Sequence, residues 1–246
     1  MFVPSKLHHR SCRFTCEKSV PKIFGILCWN VHKNNSKSSA FKPYLEKLEP
    51  KCDFFVLQEA NFVDDKHFTL PHFAFDAAAN LEFRETFYGV LTASKVESLK
   101  AQAYLSEGRE SLVGPHKSLL VSHYPFEDGS TLLILNVHAI NFRENQRFNK
   151  ELERFLELLV DYKGAMIVAG DFNTWNKKRM AKLHELRVKL GLQMVLFQES
   201  DNVKSFMGNH LDFIFYRGLE LLEQSTDTKH ELSDHHPLFA RFCALV

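Results

Sequence analysis

Eight polar residues in this chain stand at the edges of apolar runs, and their types are those of metal-assisted phosphoryl chemistry. Asn30 follows Ile26-Leu27-Cys28-Trp29, Glu59 follows Phe54 to Gln58, and His138 follows Leu132 to Val137. Asp171 and Asn173 close Val168-Ala169-Gly170-Asp171-Phe172-Asn173-Thr174. Asp212 interrupts Leu211-Asp212-Phe213-Ile214-Phe215, and Asp234 with His235 leads into Pro237-Leu238-Phe239. An apolar run that stops at a polar group reads as a buried strand whose tip projects that group into a loop. Several such tips on one layered α/β core make one site along one edge.

The chemistry follows from the donor types. Four carboxylates (Glu59, Asp171, Asp212, Asp234) and two amides (Asn30, Asn173) are hard oxygen ligands, suited to Mg²⁺ or Mn²⁺ rather than to structural zinc. His138 and His235 can hydrogen-bond or protonate a phosphoryl oxygen. A phosphodiester needs a metal for the charge on its oxygens, a base for water and donors for the transition state. Singly, most of these residues have ordinary readings. Glu59 can be a solvated strand end, His138 a core histidine, Asp171 with Asn173 an Asx turn, and Asp234-His235 a loop ion pair. Asp212 resists such a reading, because a carboxylate inside an apolar run must be partnered or costs several kcal/mol.

The elements that would position these residues are legible in outline. Strands are predicted at residues 22–31, 54–58, 73–75, 89–94, 117–124, 131–137, 166–169, 211–216 and 238–242. A helix begins after Ser38 or Ser39 as N-cap, with Phe41, Leu45 and Leu48 on one face. Pro43 fits only its first turn, and Pro50 closes it. Residues 144–162 form the clearest helix, with Phe148, Leu152, Phe155, Leu156 and Leu159 on one face. A basic helix covers about 177–190. Residues 97–116 read as loop and edge structure. The mixture of βα units and hairpins implies mixed sheets, two of them packed together with helices outside.

Composition sets the frame. The chain has 246 residues, 45% of them apolar with 23 Phe, and a formal net charge of +1. That suffices for one large domain or two small ones and argues against a strongly basic nucleic-acid coat, though not against a local basic groove. Its five cysteines (Cys12, Cys16, Cys28, Cys52, Cys243) are odd in number and lack a Cys-x-x-Cys pair. They read as ordinary thiols of a reducing compartment. No stretch reaches the roughly 18 apolar residues of a membrane helix, and the basic first twenty residues lack the apolar core of a secretory signal. Residues 1–20 are therefore expected as a loose arm, residues 21–246 as one domain, and the location as cytoplasmic.

The ordered set Trp29-Asn30, Gln58-Glu59, Asn136-Val137-His138, Gly170-Asp171-Phe172-Asn173, Leu211-Asp212-Phe213-Ile214 and Ser233-Asp234-His235 resembles the endonuclease/exonuclease/phosphatase superfamily. It spans residues 22 to 246. The runs Leu135 to Phe142, Ala169 to Trp175 and Leu211 to Gly218 are similar to its bacterial YafD-like subgroup. The resemblance implies a deoxyribonuclease-I-like four-layer α/β sandwich. It makes Glu59 the main metal ligand, assisted by Asn30 and Asp234. Asp171 would orient or deprotonate water and Asn173 would hold the scissile phosphate. His235, oriented by Asp212, would stabilise a phosphoryl oxygen, and His138 would sit near the leaving group. Arg109-Glu110 resembles an Arg-Glu-Pro segment whose arginine contacts a phosphate, with Ser111 here in place of the proline. The basic segment Lys177-Lys178-Arg179, next to Trp175 as a stacking surface, suits nucleic acid, and equally a solvated helix start. The expected activity is metal-dependent phosphodiester hydrolysis, with a nuclease first. A phosphomonoesterase or lipid-headgroup phosphodiesterase comes second, and a catalytically silent binding module on the same fold third.

Overall fold

The computed structural model describes residues 6–33, 37–62, 70–84, 86–109, 116–139, 145–198, 203–206, 208–227 and 231–245. Two strand–helix–strand units organise it. Strand β2 (Ile23–Asn30) runs parallel to β3 (Phe54–Phe62), with α1 (Phe41–Leu48) crossing between them. Strand β8 (Thr131–His138) runs parallel to β9 (Ala165–Asp171), with α2 (Asn145–Leu159) as the crossover. Parallel neighbours require such a crossover, whereas antiparallel ones need only a turn. Antiparallel strands extend each unit into a sheet.

The first sheet runs β1 (Lys6–Arg10), β4 (Ala74–Phe83), β5 (Thr86–Ser94), β3, β2, β15 (Leu238–Ala244), β14 (Leu219–Thr226). The second runs β10 (Gln193–Met194), β13 (Asp212–Arg217), β9, β8, β7 (His116–Pro125), β6 (Lys100–Arg109). Helix α3 (Lys177–Lys189) follows β9, and a small hairpin, β11 (Ser205–Phe206) with β12 (Asn209–His210), precedes β13.

Period-2 alternation assigns the layers. Phe24, Ile26 and Cys28 of β2, Phe54 and Val56 of β3, Leu132 and Ile134 of β8, and Ile167 and Ala169 of β9 fill the space between the sheets. Their sequence neighbours face outward. Leu27, Trp29, Phe55 and Leu57 pack on Phe41 and Leu45 of α1. Leu133, Leu135, Met166 and Val168 pack on Phe148, Leu152 and Phe155 of α2 and on Leu183 and Leu186 of α3. The result is a four-layer α/β sandwich. No helix among the described residues is long and apolar enough to cross a membrane.

Four expectations need correction. Residues 6–10 are not loose: β1 pairs antiparallel with the edge strand β4, His9 Nδ1 donates to Asp76 Oδ1 at 2.8 Å, and the His8 ring packs 4.2 Å from that of Phe87. An exposed sheet edge offers unpaired backbone groups, and the basic segment satisfies them. Residues 100–109 are edge structure, as expected, but form one long strand paired with β7 rather than loop. Cys12 and Cys16 are not both ordinary thiols. The N–H groups of Arg13 and Phe14 both donate to Pro71 O, a bend that brings the two Cα atoms to 5.9 Å, and the sulfurs are bonded. Cys28, Cys52 and Cys243 are free. Finally, α1 has no side-chain cap; Ser38 Oγ instead accepts from Ala40 N, closing a local turn.

Candidate active site

The inner phase of each central strand ends in one of the polar residues. Counting by twos from Phe24, Ile26 and Cys28 reaches Asn30. From Phe54 and Val56 the count reaches Gln58, and from Leu132 and Ile134 it reaches Asn136 and His138. Ile167 and Ala169 lead to Asp171. Asp212 opens β13 in phase with Ile214 and Tyr216 of the same core. Asp171 lies opposite both His138 and Asp212 in the ladder, so the ends of β8 and β9 and the start of β13 meet at one edge. Gly170, before Asp171, has φ +147°, and a Cβ there would collide with the carbonyl of Val137 on the adjacent strand. Only glycine fits this approach.

Glu59 lies on the wrong phase and is brought in by a bulge. The β3–β5 register shifts between Leu57 and Ala60, and Glu59 takes φ +48°. A bulge re-aims a side chain that alternation would send outward. Of the five described non-glycine residues with positive φ, four (His32, Lys33, Glu59 and Asn173) adjoin this edge. Such conformations cost about 1–3 kcal/mol each and persist where the surroundings impose them.

Asn30, Glu59, His138, Asp171, Asn173, Asp234 and His235 line one cavity of about 240 Å³, together with His32, Lys117, Trp175, Lys204, Phe206 and Leu211. His235 Nδ1 donates to Asp212 Oδ2 at 2.7 Å. Asn30 Nδ2 donates to Asp171 Oδ2 at 3.1 Å, and Asn173 N–H to Asp171 Oδ1 at 2.9 Å. Asn173 Nδ2 donates to Ala139 O. His138 Nε2 lies 3.6 Å from Glu59 Oε1 and 4.0 Å from Asp171 Oδ2. The loop carrying His235 is fixed twice: the Trp29 indole N–H donates to His235 O at 2.8 Å, and Ser233 Oγ donates to Asn30 O at 2.7 Å. Beneath the cavity, Asn136 of the second sheet donates to Leu57 O and Leu91 O of the first and accepts from Gln58 Nε2. This satisfied buried network staples the two sheets together.

The electrostatics separate the carboxylates. Burial, then the charge of Asp212, pushes Asp171 up to about 7, although His235 opposes the shift. That is where a general base works best near neutral pH. Burial would also raise Glu59, but His138, Lys117 and Lys33 hold it down at about 2. Burial, then Lys117, drives His138 well below its ordinary value, so it is neutral. Burial opposes the charge on His235, yet Asp212 raises it to about 9. The site thus carries a poised base, an ionised carboxylate, a neutral imidazole and an imidazolium.

Residues 27–235 match the Endonuclease/Exonuclease/phosphatase family. The chain belongs to this family. A UPF0294 protein of Vibrio cholerae is 35% identical over 221 residues, covering 88% of this chain and 76% of its own. Among solved structures, an endonuclease/exonuclease/phosphatase family protein from Leptotrichia buccalis superposes with a TM-score of 0.65 at 17% identity, over 89% of this chain and 99% of the other. D. rerio TDP2 complexed with single-strand DNA product gives a TM-score of 0.64 at 16% identity, over 90% and 99%. The two structural likenesses show the fold.

Within the family's fold, the eight residues singled out in the sequence converge, and the basic segment divides. Lys177 and Lys178 are exposed. Arg179 is not a surface phosphate contact: it is fully buried, with its guanidinium 4.5 Å from the Phe148 ring centroid and 5.0 Å from that of Trp175. Its Nη1 donates to Asn173 O at 2.9 Å, bracing the Asp171–Asn173 loop from behind. Helical spacing turns position 179 inward while 177 and 178 face out, and the aromatic sandwich accommodates the charge. Arg109 closes β6, opposite His116. Its side chain, with Glu110, Ser111 and the later Pro115, lies outside the described residues. Asn141 and Phe142 do too.

Lys117 was missed. By alternation it shares a phase with outward-packing Leu119 and Val121, yet its Nζ reaches 3.0 Å from His138 Nε2. Its position at the start of an antiparallel neighbour of β8 was the available signal. Gln58 and Asn136 stood in the quoted motifs but had no role.

The donors suit a hard divalent ion. Glu59 is ionised, and the neighbouring ligands are oxygens without a thiolate. The ligand atoms of Asp171, Asp212 and His235 lie within 4.8 Å of one another, and with His235 protonated the two carboxylates are the members of that group able to hold an ion. Asp212 Oδ1 is buried without a hydrogen-bond partner among the described residues.

Proposed function

We propose that this chain hydrolyses phosphodiester bonds of nucleic acid, assisted by Mg²⁺ or Mn²⁺ held by Glu59 with Asn30 and Asp234. The observation that carries the reading is the convergence of a carboxylate poised near neutrality, Asp171, with His235 in one cavity, where His235 is hydrogen-bonded to Asp212. The ion, when bound, neutralises charge on the phosphoryl oxygens. Asp171 takes the proton of the attacking water at a carboxylate oxygen. Asn30 and the Asn173 N–H hold that carboxylate in place. His235, kept protonated by Asp212, donates to a phosphoryl oxygen through Nε2. Asn173 flanks the scissile phosphate.

Nucleic acid is favoured by the aromatic part of the lining. Trp175 and Phe206 offer flat surfaces beside the phosphate machinery, and Lys177 and Lys178 stand exposed just beyond Trp175. Bases stack on aromatics, and lysines track the backbone. The likeness to TDP2 bound to single-strand DNA product agrees with this. Lys33 and Lys117 near Glu59 support a second reading, a phosphomonoesterase, because a dianionic ester calls for more positive charge.

One panel tests both: single-stranded and duplex nucleic acid, a chromogenic phosphodiester, phosphomonoesters and a lipid phosphodiester. Each is run with Mg²⁺, with Mn²⁺, with chelator and with Glu59→Ala. Turnover of nucleic acid that chelator and Glu59→Ala both abolish is the expected result. Turnover of monoesters alone, or of the lipid alone, would transfer the assignment to that substrate. Metal binding without hydrolysis of anything would make the protein a binding module.

A further inference from the structure

We infer that Cys12, Cys16 and Glu97, once the bond between the two cysteines is reduced, form a Zn²⁺ site separate from the active site. The ligand atoms of these three residues lie within 4.8 Å of one another. They sit away from the cavity: Phe54, which opens β3, lies opposite Ser94, which closes β5, whereas Glu59 lies toward the other end of β3. Separate backbone contacts hold the three in place. The N–H groups of Arg13 and Phe14 both donate to Pro71 O, which bends the chain between the two cysteines. Glu17 pairs with Val96 in an isolated parallel bridge, and Glu17 N–H donates to Lys95 O at 2.8 Å. Cys16 and Glu97 therefore flank one contact. Val96 is buried in the core between the sheets, which fixes the backbone from which Glu97 extends.

The donor types select the ion. Two thiolates and a carboxylate suit borderline-soft Zn²⁺, not the Mg²⁺ or Mn²⁺ of the oxygen-lined cavity. Cys-x₃-Cys lies within the spacing that zinc sites use. A tetrahedral zinc holds sulfur and oxygen ligands about 3.6–3.8 Å apart. The Glu97 carboxylate is near enough to reach that separation, and with Cα atoms 5.9 Å apart the sulfurs can part by side-chain rotation. Glu97 is exposed, so water can complete the fourth position. The disulfide itself has little to hold. It closes a loop of three intervening residues, and the chain is pinned without it, by β1 before and by the Glu17 and Val20 bridges after. A loop so short gains least from a cross-link. Two electrons and two protons from a dithiol reductant split the S–S bond, giving two thiols and leaving the reductant as its own disulfide. Zinc binding then releases the two thiol protons as the Zn–S bonds form.

The test measures zinc binding by oxidised wild type, reduced wild type, reduced Glu97→Gln and a reduced variant carrying both Cys12→Ser and Cys16→Ser. Excess Mg²⁺ is present throughout to occupy the cavity, and the reductant is a phosphine removed before titration without air. Co²⁺ in place of zinc reports sulfur ligation through thiolate-to-cobalt charge-transfer absorption. Reduced wild type should bind one more equivalent of zinc than oxidised wild type and show that absorption. The double serine variant should bind no more than the oxidised protein and lack it. Glu97→Gln should weaken zinc affinity at least about 10-fold, an effect that even outer-shell partners of a metal have. Equal zinc binding by reduced and oxidised wild type overturns the proposal, as does a reduced wild type without the absorption. Absorption that persists in the double serine variant assigns the sulfur to Cys28, Cys52 or Cys243 and overturns it too. Unchanged affinity in Glu97→Gln removes the carboxylate and with it the three-ligand site. If thermal melts show that the double serine variant does not fold, the comparison of reduced with oxidised wild type and the Glu97→Gln titration decide.

Discussion

Asp171→Asn removes a charge that the fold holds against its solvation, so it should both stop turnover and raise stability. Asp171 is 3% exposed. Burial, reinforced by Asp212, lifts it from 3.8 to about 7. The folded chain therefore binds this proton more tightly than the unfolded chain does. Below about pH 4 both forms are protonated and no penalty exists. As pH rises toward 7 the unfolded chain ionises freely while the folded chain resists, so the wild type loses stability through that window. At about 1.4 kcal/mol per unit, the full shift is worth about 4 kcal/mol at neutral pH. The amide forfeits part of this. Asn30 Nδ2 and Asn173 N–H each donate to a separate carboxylate oxygen, and a carboxamide offers one, a loss of about 1 kcal/mol. The net gain is about 3 kcal/mol, or roughly 6–12 °C in melting temperature for a chain of this size. The assay is thermal unfolding of both proteins in chelator from pH 4 to pH 8. The variant should melt higher at pH 7, and the two curves should converge toward pH 4. Turnover should drop about 10²-fold or more, and wild-type turnover should rise with pH through about 7 as the base ionises. A variant that melts no higher than wild type at pH 7, or a gap that does not close in acid, refutes the reasoning.

The segment after Asn173 separates by burial. Arg179→Ala removes the stack on Phe148 and Trp175 and the bond to Asn173 O, and should cost about 3 kcal/mol in denaturant titration. Lys177→Ala with Lys178→Ala should shift stability by less than about 0.5 kcal/mol per site. In nucleic-acid binding the same pair should flatten the salt dependence by up to about 0.9 for each backbone phosphate that a lysine had neutralised; an unchanged slope removes these lysines from the interface. Gly170→Ala places a Cβ against Val137 O at φ +147°. It should destabilise by more than about 2 kcal/mol or prevent folding, and a near-normal melting curve would refute that approach of the strands. Alkylation of the denatured, unreduced protein should label Cys28, Cys52 and Cys243 and spare Cys12 and Cys16, as read by peptide mass spectrometry. Labelling of all five would return the N-terminal pair to free thiols.

The parallel units, the helices at 145–159 and 177–189 and the inner phase were legible because alternation and helical periodicity are local. Where the phase runs unbroken to the strand end, as at Asn30, His138 and Asp171, the sequence alone placed the residue in the site. The long β4 and β5 were read short, because Ala77, Ala78 and Ala79, buried under the sheet layers, carry little periodic signal. Residues 97–116 read as loop and edge structure without a defined strand, because the polar pattern of 100–109 gains meaning only once β7 supplies the ladder.

The sequence by itself determined that carboxylates, amides and imidazoles stand at the ends of the central strands, and its mixture of βα units and hairpins determined the fold class. The tertiary structure alone decided which cations surround them. Glu59 reaches the cavity through a bulge that no periodicity announces. Lys117 arrives from the start of a neighbouring strand, and Arg179 turns away from solvent into an aromatic sandwich. Each of these depends on where a long side chain finds a partner on another element. That is a property of distance in space, which spacing along the chain does not encode.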